Sequence, residues 1–379
     1  MIALAALVVV LAGSGEPRLM RVTASSVWPT PTDGGSAWVG VLKLGAVVEV
    51  EGCHDSGRAL LAGGRASAGC GVFADAPDAE AAAANEPPLR WGSVRTTAQL
   101  RARPRADAGV LETVVAPHTL ALTDDALLAA GAWARRASGG FVRLSDVRLD
   151  RPRTFAGVAR PRLPLAFALR ATARALPAPI EGPAEPVPRH ARFDVLSFDG
   201  TRVMTADGAL PRRDVRLAVA RARPPAVPPG ARWVNVELAE QVLTAYEGDV
   251  PVYATLVSAG IGDTPEHRTR TGLFRVWLES LHDRMHGDGY FVEEVPWIMY
   301  FAGSQGLHAA FWHDAFGRPA SHGCVNLSPT DARWLFEWAP PRLPPGWHTV
   351  APLALGVETL WVHVERAKPA PALPRLASE

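Results

Sequence analysis

The chain has 379 residues, which is long for one domain and predicts two or three folded units. Its 39 Lys and Arg against 38 Asp and Glu leave a net charge of +1, which excludes attraction to nucleic acid by bulk charge. The 34 Gly and 34 Pro indicate many turns and linkers and argue against a long helical bundle.

An apolar run from Ile2 to Ala12 lies at the start of the chain and ends in small residues. A membrane-spanning helix needs about 20 apolar residues, so this run is too short to cross a bilayer. Its length is typical of a secretory signal peptide, although no Lys or Arg precedes it. We therefore expect residues 1–15 to be a signal peptide and the protein to be secreted to the periplasm or cell envelope. A buried strand or helix is the alternative.

The three cysteines are distributed unevenly: Cys53 and Cys70 lie near the N-terminus, and Cys324 lies alone near the C-terminus. In an exported protein, two local cysteines and one odd cysteine suggest a disulfide and a separate functional thiol. We expect a Cys53–Cys70 disulfide and a free Cys324. Three buried, reduced cysteines would fit a protein that is not exported.

Residues 16–75 have the pattern of a small β domain, because Trp38–Val50 holds two β-branched runs split by a Leu-Gly pair. An Ala-, Asp- and Glu-rich linker follows at Asp75–Pro88. A second β domain is expected at 89–158, where Val94–Pro104 echoes the opening of the first. Both segments loosely resemble bacterial SH3-like domains. One irregular β domain across both segments is the alternative.

Residues 159–230 are expected to be a linker and a β-leaning connecting region, since Leu176–His190 holds five prolines among small residues. From 231 to 352 the runs become β-branched and aromatic, which predicts a mainly β catalytic unit. Thr330–Trp338 has helical spacing, with Ala332, Leu335 and Phe336 on one side, and predicts a late helix. Residues 353–379 are expected to be a C-terminal extension.

The informative stretch is Ser321-His322-Gly323-Cys324-Val325-Asn326, with His308 lying 14 residues upstream of His322. Thiolate is the reactive form of Cys, and a neighbouring imidazole favours it. A Gly before the cysteine lets a substrate carbonyl approach the backbone, whose amides can bind an oxyanion. The pattern therefore predicts nucleophilic catalysis by Cys324.

A zinc site is the rival interpretation, since His308, His313, His322 and Cys324 are all potential ligands. The chain lacks a Cys-x-x-Cys pair and a His-Glu-x-x-His helix, and the intervening segment is a loop. A buried loop with structural histidines is a further alternative. We expect no metal and no cofactor, and we expect His313, Asp314 and Arg318 to be solvated loop residues.

At these residues the sequence resembles the L,D-transpeptidase family with a YkuD-type catalytic domain. The resemblance extends upstream through Trp233–Ser258 and Gly287–Trp297, and downstream through Leu327–Arg333, about a third of the chain. Two departures are Arg270 in place of the family's Pro in Thr269–Gly272, and the absence of a Lys that often follows that turn. The resemblance implies a mainly β chain: a C-terminal β-sandwich or barrel with a short flanking helix, preceded by one or two small SH3-like β-barrels.

The resemblance also implies roles for individual residues. Cys324 is the nucleophile, and His308 is its base or imidazolium partner. The remaining site residues would orient the base, shape the loop, hold the oxyanion or line the donor pocket: Ala309 through its carbonyl, Ser321 and His322, Gly323 with the Cys324 amide, Asn326, and Tyr290.

The activity implied is peptidoglycan L,D-transpeptidation, in which an acyl group passes from a tetrapeptide stem to an amine and forms a 3-3 cross-link. Alternatives on the same scaffold are an L,D-carboxypeptidase, which uses water, and attachment of a lipoprotein lysine. A non-catalytic wall-binding protein, carried by the N-terminal β region, is an alternative of another class. The partners implied are peptidoglycan stem peptides, a lipoprotein acceptor and carbapenems as covalent inhibitors, with no nucleic acid.

Overall fold

The structure, a computed structural model, describes residues 18–75, 89–123, 129–174 and 185–366, apart from short gaps at 23, 25, 33–37, 44–45, 54–55, 62–64, 152 and 288. The expected signal peptide lies outside the described residues. The described chain consists mainly of strands, which confirms the predicted mainly β fold class. No helix among the described residues has the length and apolar character that a membrane span requires.

The strands are short and are numbered in chain order. The first sixteen are β1 (Arg18–Val22), β2 (Ser26–Val27), β3 (Thr30–Pro31), β4 (Gly40–Lys43), β5 (Val47–Val50), β6 (Gly52–Cys53), β7 (Arg58–Leu61), β8 (Ala66–Gly69), β9 (Phe73–Asp75), β10 (Leu89–Val94), β11 (Thr97–Arg101), β12 (Val110–Val115), β13 (His118–Thr123), β14 (Trp133–Arg135), β15 (Phe141–Arg143) and β16 (Val147–Leu149). The next eight are β17 (Val158–Ala159), β18 (Leu165–Ala168), β19 (Thr172–Arg174), β20 (Glu185–Val187), β21 (Arg192–Phe198), β22 (Arg202–Thr205), β23 (Gly208–Pro211) and β24 (Val215–Ala218). The last are β25 (Arg232–Glu237), β26 (Val242–Glu247), β27 (Val250–Leu256), β28 (Gly272–Arg275), β29 (Leu278–Gly287), β30 (Tyr290–Ala302), β31 (Gln305–Ala309), β32 (Val325–Leu327), β33 (Trp347–Val350) and β34 (Trp361–Glu365), with helix α1 at Pro329–Trp338.

The chain divides into two compact units whose limits differ from the expected domain boundaries. The first unit combines Met1–Pro152, Leu278–Ile298 and Arg342–Val357. The second combines Arg153–Trp277, Met299–Pro341 and Glu358–Glu379. Each unit therefore draws on segments that are far apart in sequence.

The first unit is built from sheets with strand orders β5-β1-β9, β3-β8-β7-β6, β12-β11-β15-β14 and β16-β10-β13-β30-β29-β33-β4-β2. It holds two apolar clusters, one around Leu42 and Leu61 and one around Leu100 and Leu120. The second cluster lies within the expected 89–158 segment, whereas the first combines residues of the expected 16–75 segment with Trp347 and Val350. An SH3-like fold for either segment stays a prediction. Cys70 is disulfide-bonded. The side chain of Cys53 lies outside the described residues, so the Cys53–Cys70 pairing also stays a prediction.

In the hairpin β29–β30, strand β29 and the part of β30 up to Ile298 belong to the first unit, although their sequence lies inside the expected catalytic segment. Strand β13 pairs in parallel with β30, and the buried Glu293 lies at this junction. The Glu293 carboxylate contacts His118 Nε2 at 2.9 Å and accepts hydrogen bonds from Arg136 and from the Ala121 amide. This buried, charge-assisted network holds the hairpin in place, because a carboxylate is buried at low cost only when it is paired.

The catalytic sheet of the second unit has the strand order β17-β27-β26-β25-β34-β28. Strand β34 comes from the expected C-terminal extension and pairs in parallel with β25 and antiparallel with β28. Its alternation buries Val362 and Val364, which is the pattern of a strand with one face in the core. Residues 361–365 are therefore part of the sheet and not an appendage, whereas 367–379 lie outside the described residues.

Residues 159–230, expected to be a linker and a β-leaning connecting region, contain a folded sheet. Strands β23-β22-β21-β18-β24 make a five-stranded antiparallel sheet with its own buried side chains, among them Val203 and Leu210. Phe167 of this sheet and the preceding Phe155 join an apolar cluster with Leu256 and Phe316 of the catalytic part. The proline-rich stretch falls largely on 175–184, outside the described residues.

Helix α1 begins where the sequence predicts it. Ser328 caps it, its hydroxyl accepting from the Asp331 amide at 3.1 Å, and a proline occupies the first turn. The buried face contains Ala332, Leu335 and Phe336, as the periodicity predicts. The buried Asp331 adds an anchor that the periodicity did not reveal.

Candidate active site

The predicted nucleophile and base lie on neighbouring parallel backbone segments of the second unit. Strand β31 pairs with β32 in a register that places His308 beside Asn326, and Asn326 in turn bridges Ser258. Matched residues of paired strands project to the same face, and so do residues two apart in an extended segment. His308 and Asn326 therefore share one face, and Cys324 lies in the bend that leads into β32.

The position of the thiol agrees with this register. Cys324 Sγ lies 3.8 Å from the Ser304 carbonyl oxygen and also receives the Gly306 amide N–H. Gly306 precedes His308 by two residues on β31, a step of about 6.6 Å along a strand. The sulfur thus lies over the start of the strand that carries the predicted base.

His308 is 2 % exposed and is held in one orientation. Its Nδ1 lies 2.9 Å from the Ala309 carbonyl oxygen, so Nδ1 carries the proton and donates it, and Nε2 keeps a lone pair. Trp312 stacks against the ring with centroids 6.0 Å apart. Burial lowers the pKa of His308 to about 4, so at neutral pH the imidazole is an uncharged base.

Cys324 is a free cysteine and is partly buried. Burial raises the pKa of its thiol, and the Gly306 N–H opposes this by stabilising the thiolate. With His308 uncharged, the resting pair is a neutral thiol and a neutral imidazole. A thiolate then forms when the proton passes to His308 Nε2, which is general-base activation of a nucleophile.

The turn before Cys324 is organised by the Ser321 hydroxyl. This hydroxyl accepts from the Gly323 amide at 3.1 Å and donates to the Cys324 carbonyl oxygen. Of the two amides predicted to bind an oxyanion, that of Gly323 is therefore already engaged. No described residue accepts a hydrogen bond from the Cys324 amide, which leaves it available for a developing oxyanion.

Gly323 has a φ of +118°, a conformation that L side chains rarely adopt. Its carbonyl accepts from the Thr269 hydroxyl at 2.9 Å, and a Cβ on it would lie 2.7 Å from Gln305 Nε2. The site therefore needs glycine here for two separate reasons. Gln305 was not among the predicted site residues, and Thr269 was predicted only as part of a turn.

Gln305 also explains the departure at Arg270. Its amide nitrogen donates to the Arg268 carbonyl at 2.7 Å, and its amide oxygen accepts from the Arg270 backbone N–H at 2.9 Å. A proline at position 270 could not make the second bond, because proline has no N–H. The Arg270 backbone and Gln305 thus hold this turn beside Gly323.

His322 is exposed and packs edge-to-face on His267, with ring centroids 4.4 Å apart. His267 Nδ1 lies 2.7 Å from an Asp263 carboxylate oxygen. His322 therefore belongs to a surface group of side chains, in contrast to the buried His308. This location favours His308 as the base.

Asn326 links the catalytic motif to the loop that precedes it. It is 3 % exposed, its backbone pairs with Ser258 in both directions at 2.9 Å, and its side-chain amide contacts His313 Nε2 at 2.9 Å. His313 Nδ1 accepts from the Ala315 amide, and burial lowers the His313 pKa to about 4. The prediction of a solvated His313 is wrong, because its half-buried ring bridges the loop and the Asn326 side chain.

Tyr290 belongs to the first unit, where its ring packs over Gly287. Its role in a donor pocket stays a prediction. Within the described residues, no group of three or more His, Cys, Asp or Glu side chains could hold a metal ion. The chemistry that the arrangement supports is acyl transfer through a thiol activated by an imidazole.

Comparison with known proteins agrees with this chemistry. Residues 231–350 match the YkuD family, the L,D-transpeptidase catalytic domain. The Bacillus subtilis protein YciB, named as a candidate L,D-transpeptidase, is 26 % identical over 119 residues, covering 28 % of this chain and 61 % of YciB.

Two solved structures are also similar. A crystal structure of an L,D-transpeptidase from Xylanimonas cellulosilytica is 25 % identical, covers 38 % of this chain and 64 % of that chain, and has a TM-score of 0.27. L,D-transpeptidase 3 from Mycobacterium tuberculosis, in complex with a faropenem-derived adduct, is 20 % identical, covers 36 % and 60 %, and has a TM-score of 0.27. The chain thus spans less than two thirds of each of these three relatives, and over residues 231–350 it carries a YkuD-type catalytic domain.

Proposed function

We propose that the YkuD-type L,D-transpeptidase catalytic domain at residues 231–350 cross-links peptidoglycan, with Cys324 as nucleophile and His308 as base. One observation carries the proposal: His308 is buried, its Nδ1–H is held by the Ala309 carbonyl, and its strand register matches the segment that follows Cys324. This arrangement leaves Nε2 as the proton acceptor, on the strand whose start lies under the free thiol.

The reaction proceeds in two acyl-transfer steps. The Cys324 proton moves to His308 Nε2, and the sulfur attacks the carbonyl of the third, diamino-acid residue of a tetrapeptide stem. The Cys324 amide supports the oxyanion. The bond to D-Ala breaks, and D-Ala leaves with the proton from His308. An amine of a second stem then attacks the thioester and passes a proton to His308, which returns it to the thiol. The product is a 3-3 cross-link.

The test is product analysis with the full chain. Incubation with a disaccharide-tetrapeptide should yield a dimer that has lost one D-Ala, detected by mass spectrometry. A Cys324→Ala variant that still forms the dimer would refute the assignment. Monomeric tripeptide without dimer would identify water as acceptor and make the enzyme an L,D-carboxypeptidase. Attachment of a lysine peptide in place of the second stem would indicate a lipoprotein acceptor.

The same thiol is proposed to react with β-lactams. The similar Mycobacterium tuberculosis enzyme was solved with a faropenem-derived adduct. A penem or carbapenem should therefore acylate Cys324, and intact-mass measurement should show one adduct in the wild type and none in Cys324→Ala. This activity requires the protein to reach the cell wall, so we also propose export directed by residues 1–15. Appearance of the protein only in the cytoplasmic fraction would contradict that part.

A further inference from the structure

A cavity of about 460 Å³ lies where the five-stranded sheet meets the loop that precedes the catalytic motif, within the second unit. Its lining comes from both sides: Leu169, Arg170, Arg189, Asp314, Ala315 and Arg318. We propose that this cavity binds a carboxylate of a peptidoglycan stem peptide, as a site separate from the thiol. The choice of peptide rests on the function proposed above.

The charges around the cavity leave one cation without a partner. Arg170 Nε donates to Asp214 Oδ1 at 2.6 Å, and an Arg189 nitrogen donates to Asp314 Oδ2 at 2.7 Å. Arg318 is exposed, and no described residue accepts a hydrogen bond from its guanidinium. The two ion pairs cancel, so the unpaired Arg318 guanidinium leaves the cavity with a net positive charge, which suits a monoanion.

A carboxylate matches this charge and this chemistry. The guanidinium is a planar fork of N–H donors that binds a carboxylate through two parallel hydrogen bonds. A phosphate dianion would bring a second negative charge with no free cation to meet it. The partly buried Arg216, whose Nε donates to the Gly317 carbonyl at 3.1 Å, adds positive potential next to Arg318. An uncharged ligand could accept hydrogen bonds from these arginines but would lack the charge attraction.

The wall of the cavity is continuous with the catalytic motif. Asp314 and Ala315 follow His313, which contacts the Asn326 amide, and Arg318 precedes Cys324 by six residues. Gly317 has a φ of +91° and donates to the Val257 carbonyl at 2.9 Å, and the Leu169 side chain leaves no room for a Cβ. The loop therefore has a fixed backbone, so the cavity is preorganised for a ligand.

The Asp314 carboxylate binds Arg189 in the way that a ligand carboxylate would, so Asp314 competes with the ligand for that arginine. Removing the charge of Asp314 and removing the charge of Arg318 should therefore have opposite effects on binding. Arg318→Gln removes the unpaired cation and should weaken binding of a carboxylate about tenfold, the usual size for a charge-assisted hydrogen bond. Asp314→Asn releases Arg189 and should tighten binding several-fold. Misfolding cannot produce a gain in affinity, so the pair separates binding from stability.

The experiment measures binding of a tetrapeptide stem to the full chain by calorimetry, in a Cys324→Ala background that cannot turn over. The probes are the peptide with free carboxylates, the same peptide as its carboxamide, and inorganic phosphate. Arg162→Gln is the matched control, because Arg162 is exposed in the same unit and does not line the cavity. We expect weaker binding for Arg318→Gln, tighter binding for Asp314→Asn, no change for Arg162→Gln, and loss of these differences with the carboxamide.

Equal affinities of Arg318→Gln and Arg162→Gln for the peptide would overturn the proposal. Binding of inorganic phosphate with the same affinity as the peptide, so that phosphate displaces the peptide at equal concentration, would also overturn it. Acylation of wild-type Cys324 by a penem is measured in parallel. If wild-type Cys324 is acylated while Arg318→Gln binds the peptide as tightly as the Cys324→Ala background alone, only the cavity proposal fails. Absence of acylation would mean that the proposed function itself fails.

Discussion

The Nδ1 of His308 and the carbonyl oxygen of Ala309, the next residue on the same strand, lie 2.9 Å apart. This short-range bond selects the tautomer and directs Nε2 away from its own backbone. The orienting group in the site is thus a peptide carbonyl and not a carboxylate. Among the described residues no negative charge raises the basicity of the imidazole, which is consistent with its lowered pKa.

The base can be tested with His308→Gln, which keeps a polar side chain of similar size and removes the titrating nitrogen. Loss of general-base catalysis should slow penem acylation of Cys324 by about 10²- to 10⁴-fold. The measurement is the acylation rate by stopped-flow or intact mass. His286→Gln, at an exposed position in the first unit, serves as control and should react normally. A His308→Gln protein that acylates at the wild-type rate would exclude His308 as the base.

The pH dependence follows from the two shifted groups. His308 has a pKa of about 4, so it remains an uncharged base down to that pH, and the acid limb of acylation should lie near 4 and not near 6.5. Burial raises the Cys324 pKa above the ordinary 9.0, so alkylation by iodoacetamide should still increase with pH beyond 9.0. An alkylation rate that is already constant below pH 7 would instead indicate a resting thiolate–imidazolium pair.

Gly323→Ala should impair both stability and reaction. The new Cβ would lie 2.7 Å from Gln305 Nε2, and alanine at a φ of +118° is strained by about 1–3 kcal/mol. In a Gln305→Ala background the collision is removed but the backbone strain is not, so Gly323→Ala should lower the free energy of unfolding there by less than it does in the wild type. Chemical denaturation of the two single variants and the double variant provides the measurement. No loss of stability from Gly323→Ala in the Gln305→Ala background would show that the side-chain contact is the sole constraint.

Asp331 should prove to be a structural anchor for helix α1. Its carboxylate is fully buried and accepts from the Gly157 amide at 2.7 Å, the Tyr253 hydroxyl at 2.7 Å and the Thr255 hydroxyl at 2.5 Å. Asp331→Ala leaves these donors unpaired and should lower the free energy of unfolding by about 3 kcal/mol. Arg333→Ala breaks only an exposed pair with Glu337 and should cost less than about 1 kcal/mol. Similar losses for the two variants would contradict the anchoring role.

An isolated fragment of residues 231–350 should fail to fold cooperatively, although it contains the whole family match. It lacks Phe155 and Phe167, which pack with Leu256 and Phe316, and it lacks β34, which pairs with β25. Burying one phenylalanine contributes about 1.5–3 kcal/mol, so losing two removes much of a typical domain stability. Thermal melting followed by circular dichroism compares the fragment with the full chain. A cooperative transition at the full chain's melting temperature would refute this dependence.

Sequence patterns that span only a few residues were enough to predict the fold class, one helix and the catalytic motif. Alternating β-branched runs predicted the mainly β fold, and apolar spacing predicted helix α1 with Ala332, Leu335 and Phe336 on its buried face. The motif from Ser321 to Asn326 pointed to Cys324 and His308, because that chemistry needs particular residue types at close spacing. The expected oxyanion pair was only partly matched, since the Ser321 hydroxyl engages the Gly323 amide.

Only the tertiary structure decided which distant segments meet. Gln305 binds the Arg268–Arg270 turn 37 residues away, and Glu293 meets His118 across 175 residues, and neither contact has a local sequence signal. The sequence of 159–230 predicted only a linker and a β-leaning region, and not a sheet, because the strands are short and lie among prolines and arginines. Alternation along a strand predicts the face of the sheet on which each residue lies, but it does not predict which other strand or sheet packs against that face. The packing partner depends on the free energy gained when whole apolar faces are buried together, and no single segment of sequence determines that free energy.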